Sequence, residues 1–142
     1  MRWNPASAIV VEVAPTQVTF HDPDGPPVVL AAVVYVTPPG VRAKVLAVGS
    51  RPAPGTPSVA VDVFSDDAPP PGVSKFDCLV ALMTQGLKTI LHRSFFRLRP
   101  GVLVRGAETI ASTVGPYHRD LLAKALEQGG ANGVRWPEEF TT

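Results

Sequence analysis

The sequence predicts an α/β protein in which a mixed β-sheet is covered by two main helices. Residues 1–65 alternate short β-branched runs with breaks rich in Pro and Gly, which is typical of an antiparallel meander. Residues 74–136 follow the pattern helix, strand, helix, strand, and right-handed crossovers would make their two strands parallel. Strands followed by alternating helix and strand favour one mixed sheet with helices packed against it.

The first half supplies the candidate strands of the meander. Residues 8–13 and 16–21 form the best hairpin, interrupted by Ala14 and Pro15. Further strands are predicted at residues 28–36, 44–49 and 58–64, separated by turn-forming residues at 22–27, 37–40 and 51–57. Three consecutive prolines make residues 66–73 a stiff connector to the second half. We expect one domain over residues 1–142.

The first helix has a clear predicted start. Ser74 and Asp77 have the S-x-x-D spacing of a capping box, in which each side chain satisfies a free amide at the helix start. Apolar residues at helical spacing then form one stripe over about five turns. The stripe consists of Phe76, Leu79, Val80, Met83, Leu87, Ile90 and Leu91.

The remaining elements follow the break at Pro100 and Gly101. Residues 102–104 are an apolar run typical of a strand buried on both faces. Gly115 and Pro116 are expected to open the second helix, with Pro at the first helical position. Residues 129–130 are glycines that close this helix, and residues 133–136 form a last short strand. The predicted inner face of the second helix is Tyr117, Leu121, Leu122, Ala125 and Leu126.

Composition excludes several classes of protein. The net charge of +1 predicts no general attraction to nucleic acid. No apolar run approaches the length of a membrane span, and residues 1–5 lack the apolar stretch of a signal peptide. A single cysteine, Cys78, excludes an internal disulfide framework and is expected in the core or at its edge. We therefore expect a cytoplasmic protein.

Few residues carry a chemical pattern. His21, His92 and His118 show no metal-ligand spacing with each other or with Cys78, so no metal site is predicted. The acidic pairs at 66–67 and 138–139 are expected to be solvated, and no catalytic residue is predicted. Residues 92–99, with the sequence HRSFFRLR, could contact an acidic partner or phosphates. The favoured interpretation is a helix C-terminus whose cations suit the helix dipole.

The only candidate phosphate-binding turn is the first hairpin, at residues 12–17. No glycine-rich phosphate-binding motif occurs in the sequence. A turn that holds phosphate on its backbone amides usually contains glycine, whereas Pro15 has no amide to donate. An ordinary hairpin turn is therefore favoured.

Several strings in order resemble the first half of an MreB-type bacterial actin. Residues 11–16 stand where that family has a strand and a D-L-G-T phosphate turn, and residues 44–49 read K-V-L-A-V-G as in the family. Residues 72–74 lead into a long helix that ends in a basic string at 92–100. Residues 102–104, 125–134 and 137–139 resemble the strand, helix end and E-E-P string that follow.

This resemblance implies an actin-like, ribonuclease H-like single lobe, with an antiparallel three-stranded meander beside two parallel strands. The nucleotide site would be a degenerate phosphate turn made by Glu12, Ala14, Thr16 and Gln17. Residues 113–117 lack the carboxylate that the family has before its second helix, and the second lobe has no counterpart. ATPase activity is therefore not expected, and no cofactor is required.

The implied function is a non-catalytic one, through protein–protein interaction in the bacterial cytoskeleton, cell-shape or wall-synthesis machinery. Its partner would be a full-length actin homologue or another cell-shape protein, contacted through Arg93, Phe96, Arg97 and Arg99. A lobe without its sibling would expose apolar surface, which predicts a homo-oligomer. Two alternatives stay open: a nucleotide-binding or ATPase module completed by dimerisation, using ATP and magnesium, and an unrelated small α/β regulatory partner.

Overall fold

The computed structural model describes residues 8–23, 25–39, 42–91 and 100–140. The helices are α1 (Lys75–Leu91), α2 (Ala111–Val114) and α3 (His118–Gln128). Among these residues, 3-10 turns span Ala107–Ile110 and Pro137–Phe140. The strands of the described residues are β1 (Ile9–Val13), β2 (Gln17–His21), β3 (Val28–Ala31), β4 (Val33–Val36), β5 (Val45–Val48), β6 (Val59–Asp62), β7 (Val102–Arg105) and β8 (Val134–Arg135).

The first sheet has five strands in the order β3-β2-β1-β7-β8. The pairs β1–β2 and β2–β3 are antiparallel, which confirms the predicted hairpin. β7 is parallel to β1, with Ile9 opposite Val102, and β8 is parallel to β7. The first three residues of β7 are all buried, as expected for a strand covered on both faces. The α/β class, the mixed sheet and its parallel strands were therefore predictable.

A second sheet, in the order β5-β4-β6, was not predicted. The continuous strand expected at residues 28–36 is wrong, because the chain leaves the first sheet at Ala32 and enters the second. The Ala32 N–H donates to the Thr16 carbonyl at 2.9 Å, and its own carbonyl accepts from the Val63 N–H at 3.0 Å. One buried residue therefore hydrogen-bonds toward both sheets, as at the corners of packed sheets.

Helix α1 packs on strands of both sheets and also on α3. One of the two bonds of the predicted capping box is seen at its start, where the Asp77 N–H donates to Ser74 Oγ at 3.2 Å. The predicted stripe is shifted, since Val80 is only half-buried. Burial raises the pKa of the Cys78 thiol, and the nearby Asp77 charge raises it further. The buried face of α1 consists of Cys78, Leu79, Leu82, Met83, Gly86, Leu87 and Ile90.

The second long helix starts later than the sequence predicts. Gly115 has φ +106°, outside the helical range, and α3 begins only at His118. Tyr117 precedes the helix and is 71% exposed, so its predicted place on the inner face is wrong. Helix α2 and the 3-10 turn before it were also missed. The buried residues of α3 are Leu122, Ala125 and Leu126. The last strand spans Val134–Arg135, one residue shorter at each end than the predicted 133–136.

The two long helices lie on one face of the first sheet. Val11, Phe20 and Val104 point toward them and are fully buried. Because side chains alternate along a strand, Glu12 and Arg105 point to the opposite face, and both are exposed. The register places these two residues opposite each other on the parallel pair β1–β7. This outer face is therefore partly charged, while the helix face forms the core.

We expect Gly86→Ala to destabilise the protein. A Cβ at this position would overlap the ring of buried Phe20. Alanine in a helix interior is favoured over glycine by about 1 kcal/mol, but forcing a methyl into a packed core costs about 1–3 kcal/mol. Urea unfolding should show a net loss of up to about 2 kcal/mol.

A double-mutant cycle checks the cause. Phe20→Leu removes the ring atoms that overlap, so the two changes together should cost less than the sum of the single changes. Additive losses would show that the ring does not explain the effect.

Candidate functional site

The parallel strands of the first sheet end at one edge. β1 ends at Val13, β7 at Arg105 and β8 at Arg135. The segments that follow are the hairpin turn at 14–17, the 3-10 turn at 107–110 and the residues from 136 onward. Ligands of open α/β sheets bind outside the carboxyl ends of the strands. We therefore take this carboxyl edge as the candidate site.

The hairpin turn brings Ala14, Thr16 and Gln17 together, as the sequence predicts. The Ala14 N–H donates to the Gln17 carbonyl at 2.9 Å, and Pro15 has no N–H. The Thr16 carbonyl is also occupied, since it accepts from Ala32. The first two residues of the turn thus have no amide hydrogen available for a phosphate. Thr16 and Gln17 have exposed side chains.

Glu12, the fourth predicted residue, lies in β1 and not in the turn. Its carboxylate Oε2 is 3.1 Å from His21 Nε2 on the neighbouring strand. The two residues are diagonal neighbours, because Glu12 is directly opposite Thr19 and His21 is opposite Val10. Both side chains are about half exposed, at 56% for Glu12 and 43% for His21. Glu12 therefore interacts along the outer face of the sheet.

Gly106 fixes the distance between the hairpin and the next segment. It has φ +77°, and a Cβ there would overlap the Val13 carbonyl oxygen. The Thr109 hydroxyl lies 3.2 Å from that oxygen and 2.7 Å from the Gly106 carbonyl. Sequence reasoning missed both residues. The available signal was a glycine directly after a buried strand, which often marks close backbone approach.

A cleft of about 340 Å³ lies beside this edge, lined in part by Arg105, Glu108 and Arg119. The Arg119 guanidinium lies 4.7 Å from the centroid of the Trp136 ring and also pairs with Glu138. Both contacts use the same guanidinium, so its positive charge is already compensated by the Glu138 carboxylate. The interaction raises the pKa of Arg119, mainly through the hydrogen bond to Glu138.

The expectation that the acidic pair at 138–139 is only solvated is wrong, because both carboxylates have partners within the protein. Glu138 forms the ion pair with Arg119, and Glu139 Oε2 accepts from the Trp136 N–H at 3.1 Å. This second contact closes the 3-10 turn that begins at Pro137. The acidic residues thus attach the end of β8 to α3.

A second and larger groove, of about 410 Å³, was not predicted. It joins residues 63–69, the start of α1 and the region of α2 and α3. We call it the Asp66 groove. Sequence reasoning had no signal for it, because the wall made by residues 113–121 is far along the chain from the walls made by residues 63–79.

Several predicted residues cannot be placed. Arg93, Phe96, Arg97 and Arg99 lie outside the described residues, and so does His92. Within the described ranges, no group of three or more His, Cys, Asp or Glu side chains could hold a metal ion. No helix in the described part of the chain is long and apolar enough to cross a membrane.

The sequence matches no model of a known protein family. It also matches no curated protein.

We expect the Arg119–Glu138 pair to make stability depend on acid pH. The hydrogen bond from Arg119 lowers the pKa of Glu138 in the folded state. The pair therefore stabilises the fold above the pKa of the unfolded chain, and this contribution is lost as pH falls through the folded pKa.

Unfolding in urea at about pH 7 and about pH 3 checks this. Glu138→Gln should reduce the loss of stability in acid, whereas the matched Glu127→Gln should not. Because the pair is exposed, the difference should be small. Equal acid dependence in all three proteins would contradict the assignment.

Proposed function

We propose that this chain is a non-catalytic, actin-like protein that acts through protein–protein interaction in the bacterial cytoskeleton or cell-shape machinery. The observation that supports this most is the order of the first sheet, β3-β2-β1-β7-β8. It places an antiparallel meander beside two parallel strands, as the resemblance to MreB-type actins implies. The strand order and the strings together support the actin-like interpretation over an unrelated α/β module.

The hairpin turn supports the non-catalytic part of the proposal. A phosphate held on a turn needs several backbone amides that converge on it. Here the amide of Ala14 is used within the hairpin and Pro15 has none. Glu12, the one carboxylate of the predicted site, interacts with His21. The turn therefore offers little to compensate phosphate charge.

A second candidate function is nucleotide binding completed by a partner. The cleft beside Arg105 and Trp136 favours it, because the cleft lies at the carboxyl edge where such ligands bind. Against it stands Arg119, whose guanidinium already pairs with Glu138. A phosphate would have to displace this carboxylate.

Thermal unfolding with magnesium-ATP distinguishes the two. A ligand that binds only the folded state adds about 2.7 kcal/mol when present at about 100 times its Kd. Under the leading proposal, millimolar magnesium-ATP leaves the unfolding midpoint unchanged. A rise that disappears in Thr16→Ala or Glu12→Gln, but persists in Glu127→Gln, would show that the turn binds nucleotide.

Co-sedimentation tests the interaction itself. Filaments of a purified full-length bacterial actin should carry the protein into the pellet, and the bound amount should saturate as its concentration rises. The protein centrifuged alone supplies the control for its own pelleting. If the protein stays in the supernatant at every ratio, the proposed partner is wrong.

A further inference from the structure

The Asp66 groove has an apolar floor and an acidic rim. Val63 and Leu79 are nearly fully buried at its base. Phe76, Val114 and Leu121 are half-buried and line it as well. One wall includes Pro69, the first of three consecutive prolines, which form a stiff segment. The groove is therefore shaped by packed and rigid residues.

The groove is lined by more negative than positive side chains. Asp66 and Asp67 are exposed carboxylates on the rim. The one cation of the lining, Lys75, donates through Nζ to the Ser65 carbonyl and lies 3.2 Å from Ser65 Oγ. Two carboxylates thus face one ammonium group that is held on Ser65. An apolar group flanked by positive charges complements this surface.

The chain itself contains a segment of that chemistry. Residues 92–99 read HRSFFRLR, in which Phe95 and Phe96 are flanked by Arg93, Arg97 and Arg99. Phenylalanine and arginine are both enriched at protein interfaces relative to the rest of the surface. Arginine also forms two-pronged hydrogen bonds with carboxylates.

The segment is tethered at the end of α1 opposite to the end that lines the groove. It follows Leu91 at the end of α1, whereas Phe76 lines the groove at the start of this helix. At 1.5 Å per residue, Phe76 and Leu91 are about 22 Å apart. Phe95 and Phe96 are four and five residues beyond Leu91, which limits them to about 14–18 Å from it. A second copy can bring them to the groove without this limit.

We propose that residues 92–99 of one copy dock in the Asp66 groove of another. The phenylalanines cover the apolar floor, and the arginines pair with Asp66 and Asp67. Donor and acceptor are different surfaces, so the contact is heterologous, and copies add head to tail or close into a ring. The groove and the segment carry this proposal whether or not the fold is actin-like.

Sedimentation velocity of two variants tests the docking: one variant is altered only in the groove and the other only in the segment. Asp66→Asn with Asp67→Asn removes the acidic rim, and Arg93→Gln with Arg97→Gln and Arg99→Gln removes the flanking cations. The wild type should associate with rising concentration, and each variant alone should associate about tenfold more weakly. An equimolar mixture should recover heterodimers and stop there, because it contains one intact segment and one intact groove.

Controls distinguish a loss of docking from a loss of folding and from a general effect of net charge. Glu108→Gln with Glu127→Gln removes two exposed carboxylates that lie outside the groove and should associate like the wild type. Circular dichroism and the urea midpoint establish that each variant is folded. A mixture that remains monomeric, or an equal loss in the control, would overturn the proposal.

A labelled peptide with the sequence of residues 92–99 provides an independent measurement. Fluorescence anisotropy should show binding to the wild type that weakens with added salt and is about tenfold weaker for the Asp66→Asn, Asp67→Asn variant. A peptide with both phenylalanines replaced by alanine should bind more weakly as well. Equal binding to the wild type and the groove variant would show that the peptide binds elsewhere on the protein. This outcome would leave the co-sedimentation result with a full-length actin unaffected, so the two proposals can fail separately.

Discussion

The close approach of α1 to the first sheet at Gly86 determines much of the remaining packing. The fully buried Phe20 ring occupies the space that a side chain at this position would need. Helix α1 also packs on β4 and β5 of the second sheet and on α3. Helix α1 therefore links the packing of the first sheet to α3 and to the second sheet. The same two helices line the Asp66 groove through Phe76 and Leu121.

The sequence predicts where the strands and helices lie better than it predicts which strands pair with each other. The β-branched runs identify the strands because alternation and turn residues are local signals. The division of residues 28–36 between two sheets is not local, because both halves contain β-branched residues typical of strands. The hydrogen bonds of Ala32 to Thr16 and Val63 mark the division between the two sheets. Likewise, Pro116 suits a helix start, but the conformation of Gly115 delays α3 to His118.

The same distinction holds for the candidate sites. The missing amide of Pro15 is visible in the sequence, and the structure adds that Ala14 uses its own amide within the hairpin. The Glu12–His21 contact follows from hairpin register once the turn is known. The cluster of Arg119, Trp136 and Glu138 and the Asp66 groove join residues that are remote in sequence. No spacing rule predicts them, because they arise from how the helices pack.

The position of β7 also bears on how this chain folds. β1 lies between β2, which immediately follows it, and β7, whose residues come about ninety positions later. During synthesis the hairpin can form early, while the other edge of β1 keeps its backbone groups unpaired until β7 is available. An exposed strand edge of this kind can pair with other chains. Protection of the nascent chain over this interval would therefore matter more for the yield of folded protein than the stability of any single helix.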